Sequence, residues 1–240
     1  DSAWYFVTVD LGAGKRIQPV ASSGLTVTDN VTTFDDYFYH ESDLVNLLKS
    51  GRRWYGESVD LLNNTIPFSV TFANRDISDT AWVMVSGVGR SQSDSSYFNV
   101  NVNGSYRFRV SNAKASPQYY LEYARESARS SSFLSNDPAI SGSIVFSSND
   151  NTAIGWLNHY EINVRRHLNF SGAGIAMEFR DARTVGLGRV AGYSISNASG
   201  SAFIWDVTDP LNPAAQQATL ASGTLSFARE SDTLRLYVAH

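Results

Sequence analysis

The chain contains no cysteine. A disulfide framework, a thiolate metal site and a cysteine nucleophile are therefore excluded within these 240 residues. Long apolar runs are lacking too, because no stretch approaches the roughly 18 consecutive apolar residues that a membrane helix needs. Lysine occurs only at Lys15, Lys49 and Lys114, so arginine carries most of the positive charge. The absence of cysteine assigns no compartment, since either redox environment tolerates such a chain.

The charge balance argues against a nucleic-acid partner. The net charge is −4, with 19 Lys and Arg against 23 Asp and Glu, whereas a nucleic-acid surface needs a concentrated basic patch. A hydrophobic content of 42% and a charged content of 18% are typical of globular proteins. We therefore expect a globular chain with a sizeable core, no nucleic-acid partner and no membrane-spanning segment.

The dominant pattern is a short alternation of apolar and polar residues, bounded by Ser, Asn, Asp and Gly. The Asn103-Gly104 step predicts a tight hairpin, because both residue types tolerate a positive φ. Many short strands with turn residues between them predict an all-β fold, an antiparallel, jelly-roll-like β-sandwich over residues 61–240. Strands are predicted at 3–9, 66–72, 81–87, 97–103, 105–110, 142–148, 155–170, 174–180, 191–196, 202–207, 224–229 and 233–239.

One segment departs from this pattern. In HESDLVNLLKSGRRWYGE, residues 40–57, the apolar residues fall at helical spacing. Gly51 stands at the position just after a helix, where glycine is common. The spacing predicts one short helix near residues 42–50, with Ser42 or Asp43 as its N-cap. Residues 1–60 are accordingly predicted to form an N-terminal unit of strand, helix and junction, which could also belong to an upstream domain.

The end of this segment, Arg52-Arg53-Trp54-Tyr55-Gly56-Glu57, is predicted to be a structural corner or a contact surface. A guanidinium can stack on an indole ring or pair with Glu57. We expect Trp54 to bury its ring against the sandwich, because a helix this short needs a tertiary partner. Removal of a buried Trp side chain lowers the free energy of unfolding by about 3–5 kcal/mol. An exposed, ligand-binding Trp54 would cost far less on truncation.

Two acids follow a large aromatic residue in AFIWDVTDPLNP, residues 202–213. Asp206 and Asp209 are weak candidates for a calcium site, since Ca²⁺ accepts carboxylate oxygens, but their spacing is that of no established metal loop. The alternative is that Trp205 closes a core strand and the acids shape a turn through Asx hydrogen bonds. That alternative is favoured, and no metal or other cofactor is predicted.

No set of residues in the sequence has the spacing of a known catalytic site. His159 and His167 lie eight residues apart in one predicted strand, roughly 26 Å, which is too far for one metal ion. No G-x-S-x-G nucleophile motif is present. Acidic pairs could serve glycoside hydrolysis if two carboxyls converged in a pocket, although adjacent acids are common in the turns of β proteins. We predict no catalytic residue in this chain.

Three segments together resemble one family, namely FYHESDLVNLLKSGRRWYGE (38–57), GWLNHYEINVRRHLNF (155–170) and FIWDVTDPLNP (203–213). They are similar to the region that precedes the peptidase domain in gingipain-type cysteine peptidases, a family that includes the type IX secretion sortase of Bacteroidetes. The resemblance implies a non-catalytic region that supports or positions a peptidase domain following His240. Secretion components or cargo are further implied partners, at the outer-membrane surface of a Gram-negative bacterium or in its surroundings.

None of the family's Cys–His catalytic apparatus can be carried over to a chain without cysteine. A different class of function also stays open, because the chain has 5 Trp, 12 Tyr and 13 Phe. An exposed row of such rings would suit a surface carbohydrate-binding or adhesion module. Most of these rings alternate with polar residues, which is typical of a sandwich core.

Overall fold

The computed structural model describes residue 9, residue 12 and residues 14–49, 51–118 and 122–240. Within this part of the chain there are 18 strands and one 3-10 turn at Ala182–Thr184. The strands are β1 (Gln18–Val20), β2 (Asp29–Val31), β3 (Thr33–Glu41), β4 (Ser58–Val59), β5 (Thr65–Thr71), β6 (Ala81–Arg90), β7 (Ser96–Val102), β8 (Ser105–Asn112), β9 (Arg125–Phe133), β10 (Ala139–Ser148), β11 (Ile154–His167), β12 (Met177–Phe179), β13 (Val190–Ile195), β14 (Ile204–Asp206), β15 (Ala214–Gln216), β16 (Thr219–Ala221), β17 (Thr224–Glu230) and β18 (Tyr237–Ala239).

Two sheets form the first sandwich. One has the strand order β5-β10-β7-β8, and the other has the order β3-β11-β6-β9, with β4 paired to β11. All of these pairs are antiparallel. Alternate residues point inward, so that Phe98, Ile144, Leu157 and Ile162 are fully buried between the sheets. Full burial of such a side chain stabilises the fold by about 1.5–3 kcal/mol.

A second sandwich is built from two further sheets, with the orders β1-β15-β14-β18-β12 and β16-β17-β13-β2. Its core is aromatic: the ring centroids of Tyr193 and Phe227 lie 4.7 Å apart, and those of Phe179 and Tyr237 lie 5.2 Å apart. Two of its strand pairs, β1 with β15 and β2 with β13, are parallel. Edge-to-face and offset ring packing adds to the area that these rings bury.

Strands from the first 60 residues belong to both sandwiches. β1 and β2 join the second sandwich, while β3 pairs with β11 over nine residues of the first. The chain therefore passes between the two cores early, and each of these three strands lies at the end of its sheet's strand order. The predicted boundary at residue 60 stays a prediction.

The predicted fold class is confirmed, since the described residues form an almost wholly β structure of mainly antiparallel sheets. The Asn103-Gly104 hairpin is present: both residues have positive φ, at 46° and 74°, and they join β7 to β8. The predicted strand at 3–9 falls almost entirely outside the described residues. Strands β3 and β9 were not predicted, because neither shows a regular apolar alternation.

The predicted helix at 42–50 is wrong. Val45 instead forms an antiparallel bridge with Tyr55, with both of their N–H···O distances at 2.9 Å. Leu44 and Leu48, which would have formed part of the helix's apolar face, are exposed. A helix of this length is marginal unless one face is buried. Here a folded-back loop partly buries Val45 and Leu47 instead.

Candidate functional site at the residue 44–57 corner

The corner, defined by the described residues 44–49 and 51–57, is a loop that folds back on itself. The Val45–Tyr55 bridge closes its base, and Lys49 and Gly51 both have positive φ near its tip. The residue 51 position therefore suits glycine. This closure brings Tyr55 onto Val88 and Trp156, with which it forms a small apolar cluster separate from the two main cores.

The corner is fixed to β11 through its last residues. The Gly56 N–H donates to the Leu157 carbonyl at 2.7 Å, and the Leu157 N–H donates to the Glu57 carbonyl at 2.9 Å. A Cβ atom at Gly56 would lie only 3.1 Å from the Ser42 carbonyl oxygen and 3.2 Å from that of Leu157. Glycine thus permits the close approach of the loop to the strand. Two of the three segments that carry the family resemblance, 38–57 and 155–170, meet here.

A cavity of about 410 Å³ opens beside the corner. Apolar and charged side chains both line it. Of the lining residues, Glu122 has its Oε2 3.0 Å from Arg125 Nε, and Tyr123 has its ring centroid 4.7 Å from the Arg90 guanidinium. Such a cavity suits an apolar side chain with a polar end. Its lining residues are Leu47, Leu48, Arg52, Arg53, Tyr55, Val88, Glu122, Tyr123 and Ala124.

Two expectations for this corner are wrong. Trp54 is 44% exposed, whereas its neighbour Tyr55 is 7% exposed and supplies the buried ring. Glu57 is expected to pair with Arg52 or Arg53, but its Oε1 lies 2.9 Å from His40 Nε2, and Arg53 Nη1 lies 3.5 Å from Glu126 Oε2 instead. Since adjacent side chains in extended backbone point to opposite sides, only one of the two rings can face the sandwich.

These positions give opposite expectations for two alanine substitutions. Tyr55→Ala is expected to lower the free energy of unfolding by about 3 kcal/mol, because it removes a buried ring. Trp54→Ala, a surface change, is expected to stay within about 0.5 kcal/mol of the parent chain. Thermal and urea unfolding of both variants measure the difference. A larger loss for Trp54→Ala than for Tyr55→Ala would contradict this assignment of the buried ring.

The second candidate group lies in the other sandwich, away from the corner in the chain. Asp206 ends β14; its Oδ1 accepts the Thr208 N–H at 3.1 Å, and its Oδ2 lies 3.1 Å from Arg235 Nη1. Asp209 accepts from the Leu211 N–H and, at 2.6 Å, from Asn212 Nδ2. The Asn212 hydrogen bond is the main cause that lowers the Asp209 pKa.

Both acids are thus engaged in the turn, as the structural alternative predicts. Trp205 is half-buried and lies on the face of β14 opposite to Ile204, with its ring 5.5 Å from that of Phe203 and 5.8 Å from that of His240. No cluster of three or more His, Cys, Asp or Glu side chains that could hold a metal ion occurs in the described part of the chain. Calcium binding at Asp206 and Asp209 stays an untested alternative.

Carboxylates line a groove of about 400 Å³ beside β3. Glycoside hydrolysis would require two carboxyls that converge in such a groove. Asp35 and Asp36 are each ion-paired, to Arg165 and Arg166, at 2.7 Å. A general acid needs a raised pKa. The clearly shifted carboxyls of the described residues are all lowered instead, at Asp29, Asp60, Asp76, Asp79, Asp94, Asp150, Asp209 and Glu230.

Sequence reasoning missed the opposite wall of the corner cavity. Val88, Glu122 and Tyr123 come from the end of β6 and from the segment before β9, far from the corner in sequence. No local signal identifies them, because the pairing of β6 with β9 and β11 creates the contact. Within the described residues, no helix is long and apolar enough to cross a bilayer.

The strands and cores of the described residues define an all-β protein of two packed sandwiches. No protein-family model and no curated protein sequence matches the chain. A crystal structure of dimeric latent PorU from Porphyromonas gingivalis matches with a TM-score of 0.78 and 18% identity over 94% of this chain. The match spans 22% of the PorU chain. At this identity the likeness shows a shared fold, that of a part of PorU.

Carbohydrate-binding modules also match, but only weakly. One is a CBM36 module in complex with calcium and xylotriose, with a TM-score of 0.33 and 13% identity over 55% of this chain and 99% of that chain. Another is the CBM36-1 domain of a multidomain xylanase from the hindgut metagenome of Trinervitermes trinervoides, with a TM-score of 0.35 and 9% identity over 53% and 95% of the two chains. At these TM-scores the likeness carries no argument about function.

Proposed function

We propose that this chain is a non-catalytic β-sandwich region of a gingipain-like cysteine endopeptidase that acts as a type IX secretion sortase. In this role it supports or positions the peptidase domain of the same polypeptide. The observation that carries the proposal is the fold shared with part of PorU over 94% of the chain. The protein would then be secreted or held at the outer-membrane surface of a Gram-negative bacterium.

Two features of the chain add support. The segments that resemble the family by sequence include the corner and β11, which are hydrogen-bonded to each other through Gly56, Glu57 and Leu157. The chain itself has no cysteine, so a cysteine nucleophile has to come from elsewhere in the polypeptide. A double sandwich without a cysteine nucleophile suits a supporting role.

The first test is the parent gene. We expect the codons after His240 to encode a peptidase domain with a catalytic Cys and His. A parent protein without such a domain would overturn the proposal.

The second test concerns the supporting role in that parent protein. Gly142→Ala destabilises this region, because the new Cβ meets the neighbouring strand, so we expect it to lower the temperature at which peptidase activity is lost. Gly200→Ala, at a position with open space around it, is the matched control. If both variants lose activity at the same temperature as the parent, the region does not support the peptidase, whatever family it belongs to.

A surface carbohydrate-binding or adhesion module is the second candidate, and the exposed ring of Trp54 is the observation that favours it. A glycan array with the purified chain tests this candidate. Reproducible sugar binding that disappears in Trp54→Ala, with an unchanged melting temperature, would support it. Absence of binding on the array would remove it.

A further inference from the structure

Strand β3 is the outermost strand of its sheet. Its inner side pairs with β11 from Thr33 to Glu41, and on its outer side Asp35 bridges to Arg180. Beyond that bridge, no strand in the described part of the chain pairs with the outer side of β3. Since the Asp35 N–H points outward to the Arg180 carbonyl, the backbone groups of Tyr37, Tyr39 and Glu41 share that direction.

This free edge carries exposed aromatic rings. Tyr37 and Tyr39 are 51% and 43% exposed, and Trp82 on β6 is 50% exposed. Tyr37 and Trp82 both pair with Asn163 of β11, so their side chains lie on the same face, about 10 Å apart across two strand spacings. Free edges are normally blunted by lysine, proline or a bulge, and residues 37–41 contain no proline and no basic residue apart from His40.

The charge beside this edge is negative. Glu161 pairs across the strands with Tyr39, and Glu178 lines the groove of about 400 Å³ next to it. Neither side chain forms an ion pair with a described residue. Burial, and then the hydrogen bond to Glu41, raise the pKa of Tyr39 to about 12. The Arg180 guanidinium, 5.3 Å from the Tyr37 ring centroid, offsets only part of this charge.

We propose that the outer edge of β3 at residues 37–41 binds an extended polypeptide segment that carries Lys or Arg side chains, by β-strand addition. Main-chain hydrogen bonds to Tyr39 and Glu41 would supply the pairing. Glu161 and Glu178 would receive the basic side chains, and the exposed rings would contact their cations.

The size and the charge of the edge together select this occupant. Five residues of strand span only roughly 17 Å. An edge this short is not enough by itself to bury the ~800 Å² per partner of a stable protein–protein interface. A short segment fits this length. Pairing of β3 with β3 of a second copy would bring Glu41, Glu161 and Glu178 close to their like-charged counterparts, which costs free energy. The inference does not depend on the proposed role beside a peptidase.

Fluorescence anisotropy with synthetic probes tests the proposal on the whole chain. The probe is a fluorescein-labelled hexapeptide of alternating Val and Lys, and its counterpart has Glu in place of Lys. We expect the basic peptide to bind at least about tenfold more tightly than the acidic one, with an affinity that falls as salt rises. Equal binding of the two peptides would overturn the proposal.

Two sets of variants separate the backbone and charge contributions. Tyr39→Pro removes an N–H that faces the free edge, a position where proline is tolerated, and is expected to abolish binding; Tyr39→Phe keeps that N–H and is expected to bind. Glu161→Gln combined with Glu178→Gln is expected to weaken binding about tenfold, while Glu122→Gln, at the corner, is not. These charge variants keep the proposal testable if Tyr39→Pro fails to fold.

Binding that survives both Tyr39→Pro and the double glutamine variant would contradict strand addition at this edge. Self-association of the parent chain that disappears in Tyr39→Pro would contradict it as well, because the edge would then pair with a second copy. Sedimentation velocity at several protein concentrations provides that measurement.

Discussion

Replacement of Arg165 by Met is expected to destabilise the protein by about 3–5 kcal/mol, because it leaves a buried carboxylate without its partner. Arg165 is buried, and its Nη1 lies 2.7 Å from Asp35 Oδ1 and 2.6 Å from Asp181 Oδ1. Its Nη2 donates to the carbonyl and to the hydroxyl oxygen of Thr33. The side chain of Asp181 is only 2% exposed, so water cannot replace the lost guanidinium.

The position of this arginine in the fold adds to the expected effect. Arg165 belongs to β11 of the first sandwich, whereas Asp181 follows β12 of the second. Asp35 is held as well, since its Oδ2 accepts the Ala182 N–H at 2.7 Å. Loss of the guanidinium therefore removes a tie between the two cores in addition to its ion pairs.

Urea unfolding measures this prediction against a matched variant. Arg183→Met removes the pair with Asp79, in which the arginine side chain is 59% exposed, and is expected to cost at most about 1 kcal/mol. In the Arg165→Met background, Asp181→Asn is expected to restore part of the lost stability, because it removes the unpaired charge. If Arg165→Met and Arg183→Met lowered the free energy of unfolding by the same amount, burial would not determine how much these ion pairs stabilise the protein.

The sequence alone predicted those strands in which apolar and polar residues alternate. β7 and β10 were predicted within three residues of their ends. Their core positions follow from the local pattern, and the hairpin from β7 to β8 follows from turn chemistry. β9, RESARSSSF, was not predicted because most of its side chains are exposed; it is a strand because it pairs with β6 along nine residues. Such pairing is a tertiary effect, which a single-sequence pattern does not contain.

For the candidate site, the sequence indicated the location but not the orientation. The corner was predicted from its composition, yet the choice between Trp54 and Tyr55 as the buried ring depends on which side of the loop meets Trp156. The Arg165 network was missed for a similar reason, since Asp35 lies 130 residues away along the chain. The β3 edge was missed because it depends on which strands pair in the folded sheet. The local sequence of β3 does not contain this information.

Gly142→Ala is expected to lower the free energy of unfolding by about 3 kcal/mol, at the upper end of the usual overpacking cost. Gly142 lies in β10 between β5 and β7, where a Cβ atom would stand 2.0 Å from the Asn101 carbonyl oxygen and 2.6 Å from Cζ of Phe68. The closer of these atoms is backbone of a paired strand. It cannot move aside as the end of a flexible side chain could.

The geometry around Gly142 explains why the strands approach so closely there. The Asn103 N–H donates to the Ser141 carbonyl at 2.7 Å, and the Ser141 N–H donates to Asn103 Oδ1 at 2.9 Å, so the turn after β7 is fastened to β10 one residue away. Relief of the clash at Gly142 would strain these bonds. Gly200→Ala serves as the control, since a Cβ atom there meets nothing within 4 Å, and it is expected to be neutral or to stabilise by up to about 1 kcal/mol. Urea unfolding midpoints that agree for the two variants would mean that β10 and β7 shift apart at little cost, and that the turn does not hold them.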